Sequence, residues 1–303
     1  MTGWKRWLLC AALASGGACS DDTGGTGDGD TDEAGVGAGD ASLDGGRDAS
    51  VDASRMRDSS FQPGDGGGFE SDADTRPPEC SALKAKIRDF KGLTRSRDAG
   101  VPLPGEHPDF ENWTGERATT GILGPLGTML GEGNNPVFVS VGSPQQVTSR
   151  ESFDQWYRDT PGVNETLEVD IPLTEVGEGS YEYASSAFFP IDGKGFGNTP
   201  NSSHNFHFTT EVHTRFTYRG GETFMFTGDD DLWIFVNGRL ALDLGGLHPQ
   251  VSGTIDFDAQ REALGIQPNG EYSMDIFHAE RHTTASNFRI RTNIDCFVNV
   301  PVL

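Results

Sequence analysis

The run from Phe226 to Gly238 reads FTGDDDLWIFVNG. Three aspartates, Asp229, Asp230 and Asp231, stand directly before five apolar residues. Most acidic runs lie on solvated faces, but this one abuts a segment that belongs in a core. Neighbouring carboxylates beside a hydrophobic strand raise each other's pKa unless a cation relieves them. A hard divalent cation such as calcium, which takes six to eight oxygen ligands, suits that role. An ion-free account competes: an Asp run after Gly can be a turn that ends one strand and blocks edge pairing. The spacing is not that of an EF-hand loop, which needs Gly at its sixth position and a bidentate Glu at its twelfth.

Histidines offer less. His204 and His207 lie in HNFHF, and His278 and His282 in HAERH; neither is an HExxH zinc motif. A spacing of three along a strand also turns His204 and His207 to opposite faces. Hydrogen-bonding or sugar-contacting roles suit these rings better than zinc. No Ser-His-Asp order can be argued from a chain of this length, and its many carboxylates do not by count exclude a glycosidase pair.

The elements that position these residues come from a chain of 303 residues with a formal net charge of −23, from 46 acidic and 23 basic residues. That balance argues against a nucleic-acid partner, whose phosphates require Lys and Arg clusters. The chain begins MTGWKRWLLCAALASGGAC, with a charged start, a short apolar stretch and small residues leading to Cys19. This is a secretory signal pattern over residues 1–18, too short for a mature membrane span. The GGAC ending resembles a bacterial lipobox, so Cys19 is the expected lipidation site; plain secretion is the alternative. The expected location is an outer-membrane or cell-surface lipoprotein, with a lipid anchor as its membrane contact. Residues 19–78 form an acidic Gly, Asp and Ser linker. Its stretch 20–78 holds 15 acidic residues against 4 arginines, a net of −11, with little to bury. Such composition predicts a disordered, extended tether.

From Cys80 onward aromatic and β-branched residues recur, and residues 79–298 are expected to form one domain. With Cys10 in the signal and Cys19 lipidated, Cys80 and Cys296 remain. In an exported protein such a pair is a disulfide candidate, with two free thiols as the alternative. Period-two patterning predicts strands over 211–218, 222–227, 232–236, 239–244, 253–257, 271–279 and 287–293. Asn237-Gly238 between two of them is a strong hairpin signal. Weaker strand signals cover 137–141 and 167–173, and 152–159 reads as a short helix capped by Ser152. The fold class is therefore all-β, an antiparallel β-sandwich with long irregular loops behind a disordered tether.

The blocks IRDFKG (87–92), HPDFE (107–111), FFPIDGKGFGN (188–198) and HNFHFTTEVHTRFTY (204–218) resemble the fibro-slime domain. So do the run 226–258 and the run YSMDIFHAERHTTASNFRIRT. The resemblance covers roughly residues 85–296. It implies a branch of the protective-antigen and flocculin-type β-sandwich family. It also implies an extracellular binding module for polysaccharide or cell-surface glycan, used in adhesion. In lectin-like members of that wider family, two adjacent aspartates hold calcium. The resemblance places that pair at Asp229 and Asp230, with Asn287 as the third ligand from the loop 279–287 and Asp231 as a bystander or a helper just outside the ligand set. Glu280, Arg281 and His282 in the same loop, with His248 after Gly245-Gly246, are then expected to line a ligand groove. A non-enzymatic role follows, because glycosidases of this family carry the module beside a separate catalytic domain. A structural envelope or matrix protein is the first alternative, and a glycoside hydrolase the second.

Overall fold

Period-two alternation over the second half of the chain produces strands with two distinct faces, and these assemble into two antiparallel sheets. The computed structural model describes residues 76–94, 101–112, 129–142, 145 and 147–301. All belong to one compact unit, Gly67–Leu303. The expected signal over 1–18, Cys19 and nearly all of the expected tether lie outside the described residues.

Among the described residues there are twelve strands: β1 (Ala82–Phe90), β2 (Asn164–Pro172), β3 (Thr174–Gly177), β4 (Ser180–Ser185), β5 (Phe208–Tyr218), β6 (Thr223–Gly228), β7 (Asp231–Val236), β8 (Arg239–Leu244), β9 (Val251–Asp256), β10 (Gly270–Glu280), β11 (Phe288–Thr292) and β12 (Val298–Asn299). One sheet runs β2-β1-β5-β10-β7-β8, with β12 also on β5; the other runs β3-β4-β11-β6-β9. The seven strongest strand expectations are all met, within a few residues at each end. The expected strand at 137–141 is not formed: those residues are irregular, and Phe138 is buried in a loop layer with no partner strand.

Between the sheets lies a core that includes Phe208, Val212, Phe226, Ile234, Ile276 and Phe288. A second core covers the opposite face of the larger sheet. There Trp233, Phe235 and Phe277 pack under Phe110, Phe153 and Trp156, which come from the loops between β1 and β2. This double burial explains why LWIFV does not alternate. Leu232 and Ile234 face one core, Trp233 and Phe235 the other, and every residue of β7 is buried. Burying each large side chain stabilises the fold by about 1.5–3 kcal/mol.

Local signals behave as their chemistry dictates. Asn237 and Gly238 both take positive φ, 52° and 71°, as a tight hairpin requires. Helix α2 (Phe257–Leu264) starts at Asp256, whose carboxylate accepts from the Ala259 N–H, and ends at the left-handed Gly265. Helix α1 spans Arg150–Phe153, shorter than the expected 152–159. Its cap is Ser149, which exchanges hydrogen bonds with Ser152; the residues after Phe153 leave the helix as Trp156 and Tyr157 turn into the second core. Cys80 and Cys296 form a disulfide across 216 residues of chain, with Cα atoms 4.4 Å apart. On the chain-entropy model, which is disputed, closing such a loop disfavours the unfolded state by about 5 kcal/mol.

Candidate functional site

The acidic run sits where β6 hands over to β7, beside the loop that leaves β10 for β11. Gly228 closes β6, and a Cβ there would meet the Phe226 ring at 2.6 Å and the Asn287 carbonyl oxygen at 2.7 Å. Asp230 then takes φ 56°, a left-handed conformation that Asp adopts more readily than most residues. The three aspartates therefore point in different directions and hold different groups.

Asp229 is 5% exposed and faces the start of β11. Its Oδ1 accepts the Asn287 backbone N–H, and its Oδ2 accepts from Asn287 Nδ2 at 3.2 Å. Asp230 Oδ2 accepts two backbone N–H groups, from Arg281 at 2.8 Å and His282 at 3.0 Å. Burial, opposed by Arg281 and reinforced by Asp231 and Asp229, raises the Asp230 carboxyl above the usual range. The adjacent aspartates thus hold both ends of the loop 281–287 by its backbone.

Asp231 is no bystander. It is fully buried and faces the second core, where its Oδ2 takes Arg281 Nε at 2.5 Å and its Oδ1 takes the Gly246 N–H at 2.6 Å. The Arg281 guanidinium lies 4.7 Å from the centre of the Trp156 ring and donates to the Asp109 carbonyl at 3.3 Å. Arg281 thereby ties the loop layer to the sheet. It does not line an open groove, because period two carries residue 281 to the covered face of β10.

Glu280 faces the other way, between the sheets. It too is fully buried; its carboxylate oxygens lack a well-aligned hydrogen-bond partner, although the Ser286 hydroxyl lies close enough to relieve them. That hydroxyl also donates to the Phe188 carbonyl at 2.8 Å. Burial first, then Asp230 and Asp229, pushes the Glu280 carboxyl well above its usual range. His248 is 5% exposed, with its ring nitrogens at the Pro249 and Leu244 carbonyls, so it is not a rim residue either. Of the four residues expected in a groove, His282 alone reaches solvent, beside Thr283 and the more exposed Thr284.

Glu111 is the residue that spacing did not single out. It lies within the HPDFE block and takes φ 57°. Its carboxylate accepts from Thr283 Oγ1 at 3.2 Å, and its Oε1 lies 3.4 Å from His282 Nε2. His207 accepts the Gly92 N–H at Nδ1, so its Nε2–H donates to Glu111 at 3.1 Å. Burial raises the Glu111 pKa, but His207 and His282 outweigh it and leave the carboxyl below its usual range. Nothing in the one-dimensional pattern marks Glu111, because its partners lie 96 and 172 residues away.

Among the described residues, no three His, Cys, Asp or Glu side chains converge tightly enough to form a ready metal cage. The donor chemistry nevertheless suits a hard cation. Hydrogen-bonded carboxylate oxygens retain lone pairs, and Asn287 brings an amide oxygen. The histidines form no such group. His204 stacks on Phe189 at 4.0 Å and pairs with Asp192, while His278 is packed among Phe188, Phe208, Phe226 and Phe288.

Protein psiD of Dictyostelium discoideum is 41% identical over 179 residues, 55% of this chain and 35% of psiD. Protein psiQ of the same organism is 37% identical over 217 residues, 67% of this chain and 20% of psiQ. The matched stretch is about a third or less of either relative's length. The solved epithelial adhesin 9 A domain of Candida glabrata, in complex with Galb1-3GlcNAc, covers 74% of this chain and 93% of its own. At 8% identity and a TM-score of 0.28, that likeness is too slight to argue from. The family model that matches is the PA14 domain, over residues 192–296, from the loop before β5 to the disulfide cysteine after β11.

Proposed function

We propose that this chain is a cell-surface glycan-binding module whose ligand loop is shaped by calcium. The carrying observation is that Asp229 and Asp230 hold the loop 281–287 at both ends through its backbone. A cation shared by these two carboxylates and the Asn287 amide oxygen would fix the loop from beneath. Calcium would supply charge neutralisation there and open coordination positions for hydroxyl oxygens. His282 and Thr283, steadied by Glu111, and the exposed Thr284 would then face the sugar. The PA14 match over 192–296 supports this reading, and so does the resemblance of residues 85–296 to the fibro-slime branch.

Binding rather than catalysis is the proposed role. Cys19 would anchor the protein by lipid, and residues 20–78 would lift the sandwich off the membrane towards polysaccharide or neighbouring cells. A glycan array read with calcium and with chelator tests this. Calcium-dependent glycan binding that is lost in Asp229→Ala is the expected result. Glycan binding that survives both the chelator and Asp229→Ala would remove the metal from the account. The absence of any glycan signal, with a protein partner co-purifying, would favour a structural envelope role.

A further inference from the structure

Beside the loop 281–287 lies a cavity that the calcium and sugar contacts set out above do not use. It holds about 330 Å³ and opens between the loop after β1 and the loop before β5. Small-ligand sites of this size are mostly apolar, with a few placed polar groups. Phe90, Leu103, Phe196 and Pro200 supply apolar walls here, and Lys91 and Thr199 stand among the polar ones. A buried acid fixes the aromatic wall. Asp89 is fully buried and accepts the Phe196 N–H at 2.6 Å and Asn205 Nδ2 at 2.8 Å. Gly195 permits that approach, because a Cβ there would stand 2.3 Å from Asp89 Oδ2. Phe196 is thereby set beneath Lys91, whose ammonium lies 4.4 Å from the ring centre. The pocket also adjoins the ligand loop. His207 lines it and donates to Glu111 at 3.1 Å, and Glu111 accepts from Thr283 Oγ1 at 3.2 Å.

What this pocket has to offer is donors and positive charge. Lys91 is exposed and, among the described residues, pairs with no carboxylate. The neighbouring acid, Glu106, is already occupied by the Thr94 N–H at 3.1 Å, the Thr94 hydroxyl and the Leu103 N–H at 2.7 Å. Thr199 accepts the Phe206 N–H at 2.9 Å, which leaves its hydroxyl proton to give. A larger cleft of about 590 Å³, at β1, β2 and β12, differs on this point. Its lysines are paired, Lys84 with Asp170 at 2.7 Å and Lys86 with Asp159 at 3.5 Å. We propose that the pocket at Lys91 and Phe196 is a subsite for an acidic sugar residue, whose carboxylate or sulfate meets Lys91 while its ring lies against the apolar wall. This rests on the glycan-binding reading and names the class of sugar; it makes no use of the cation. A glycan seated on His282 and Thr283 would extend across Glu111 into the pocket.

The test is a glycan array read with the full chain in calcium. Each uronate oligosaccharide on it is paired with its methyl ester, and each sulfated one with its desulfated form. The wild-type chain is expected to prefer the acidic member of its best-bound pairs on the order of 10-fold, because the neutral member loses a charge-assisted contact to the ammonium. Lys91→Met should abolish that preference, and Lys91→Arg should keep most of it. Lys91 is exposed, so neither change is expected to disturb folding, which thermal unfolding checks. Preference among the uronates assigns a carboxylate to Lys91, and preference among the sulfated sugars assigns a sulfate. Acidic and neutral members bound equally, or a preference that survives in Lys91→Met, would overturn the subsite and leave the glycan reading standing. If the wild-type chain bound no glycan of either kind, both would fall.

Discussion

Two buried charge clusters meet the large sheet, and they are built on opposite principles. The first lies on its covered face, where β1, β5 and β10 run side by side. His213 donates from Nδ1 to Asp275 at 2.6 Å and from Nε2 to Glu211 at 2.7 Å. Arg88 pairs with the other oxygen of Glu211 and reaches Asp159 at 2.8 Å at the solvent margin. Two cations balance two buried acids, and each of these four side chains has a partner. The second cluster, at the β6–β7 turn, sets Asp229, Asp230, Asp231 and Glu280 against Arg281. A balanced cluster has nothing left to bind, and its work is to hold β1, β5 and β10 in place. The unbalanced cluster holds more acids than cations, and burial raises the Asp230 and Glu280 carboxyls above their usual range.

The sharpest way to break the contrast is at Arg281. Arg281→Met should destabilise the protein by about 3–5 kcal/mol, because Asp231 is left charged and buried. Urea unfolding would measure it; a loss under about 1 kcal/mol would mean that the loop layer does not depend on this tie. The balanced cluster should respond next. Glu211→Gln should cost about 3 kcal/mol by the same measurement. The cluster should also write itself into the pH dependence. Burial pushes the His213 imidazole down, but Asp275 and Glu211 outweigh it and raise its pKa from 6.5 to about 9. The raised pKa means that stability from His213 is complete below about pH 6.5 and is lost as pH rises through about 9. Glu211 is shifted down, with burial again opposing and His213 and Arg88 prevailing, so its contribution fades as pH falls below the ordinary carboxylate range. Stability measured at pH 6 and pH 10 should therefore differ in the wild type, and His213→Gln should flatten most of that difference.

Smaller effects probe the unbalanced site. Gly228→Ala should lose about 1–3 kcal/mol, because the new methyl must displace the Phe226 ring or the Asn287 carbonyl. A crystal structure showing no shift in the loop 281–287 would contradict this. Glu280→Gln should change stability by less than about 1 kcal/mol by urea unfolding at neutral pH, because burial already pushes the Glu280 carboxyl well above its usual range and a neutral acid is exchanged for a neutral amide. The corresponding change in the balanced cluster, Glu211→Gln, strands Arg88 and His213 and should cost far more, so this pair of measurements is the cleanest test of the contrast.

Much of the sandwich was legible because burial on one or two faces leaves a period-two trace. β5, β6 and β8 to β11 carry it openly, β7 reads as a continuous apolar run because both its faces are buried, and Asn237-Gly238 announces its hairpin through the demand for positive φ. β1 was harder: ALKAKIRDF puts Lys84, Lys86 and Arg88 on alternate positions, and Arg88 is buried by partners from β5 and the loop layer. VFVSV misled because an apolar run does not say which layer it will join. The short helix misled because Trp156 and Tyr157 gain more from the second core than from another turn.

Composition and local pattern alone determined the all-β class and the location of the acidic focus, since each depends on residue type and short-range spacing; they offered Cys80–Cys296 as a candidate pair beside free thiols, and the fold brought the two together across 216 residues. Which face each acid of that focus takes was decided by the tertiary structure. Asp231 and Arg281 turn to the second core, Glu280 turns between the sheets, and Glu111 arrives from a loop more than a hundred residues upstream. The cause is physical. A covering layer assembled from distant loops changes the dielectric around residues that alternation alone would leave in water, and only packing reveals where that cover falls.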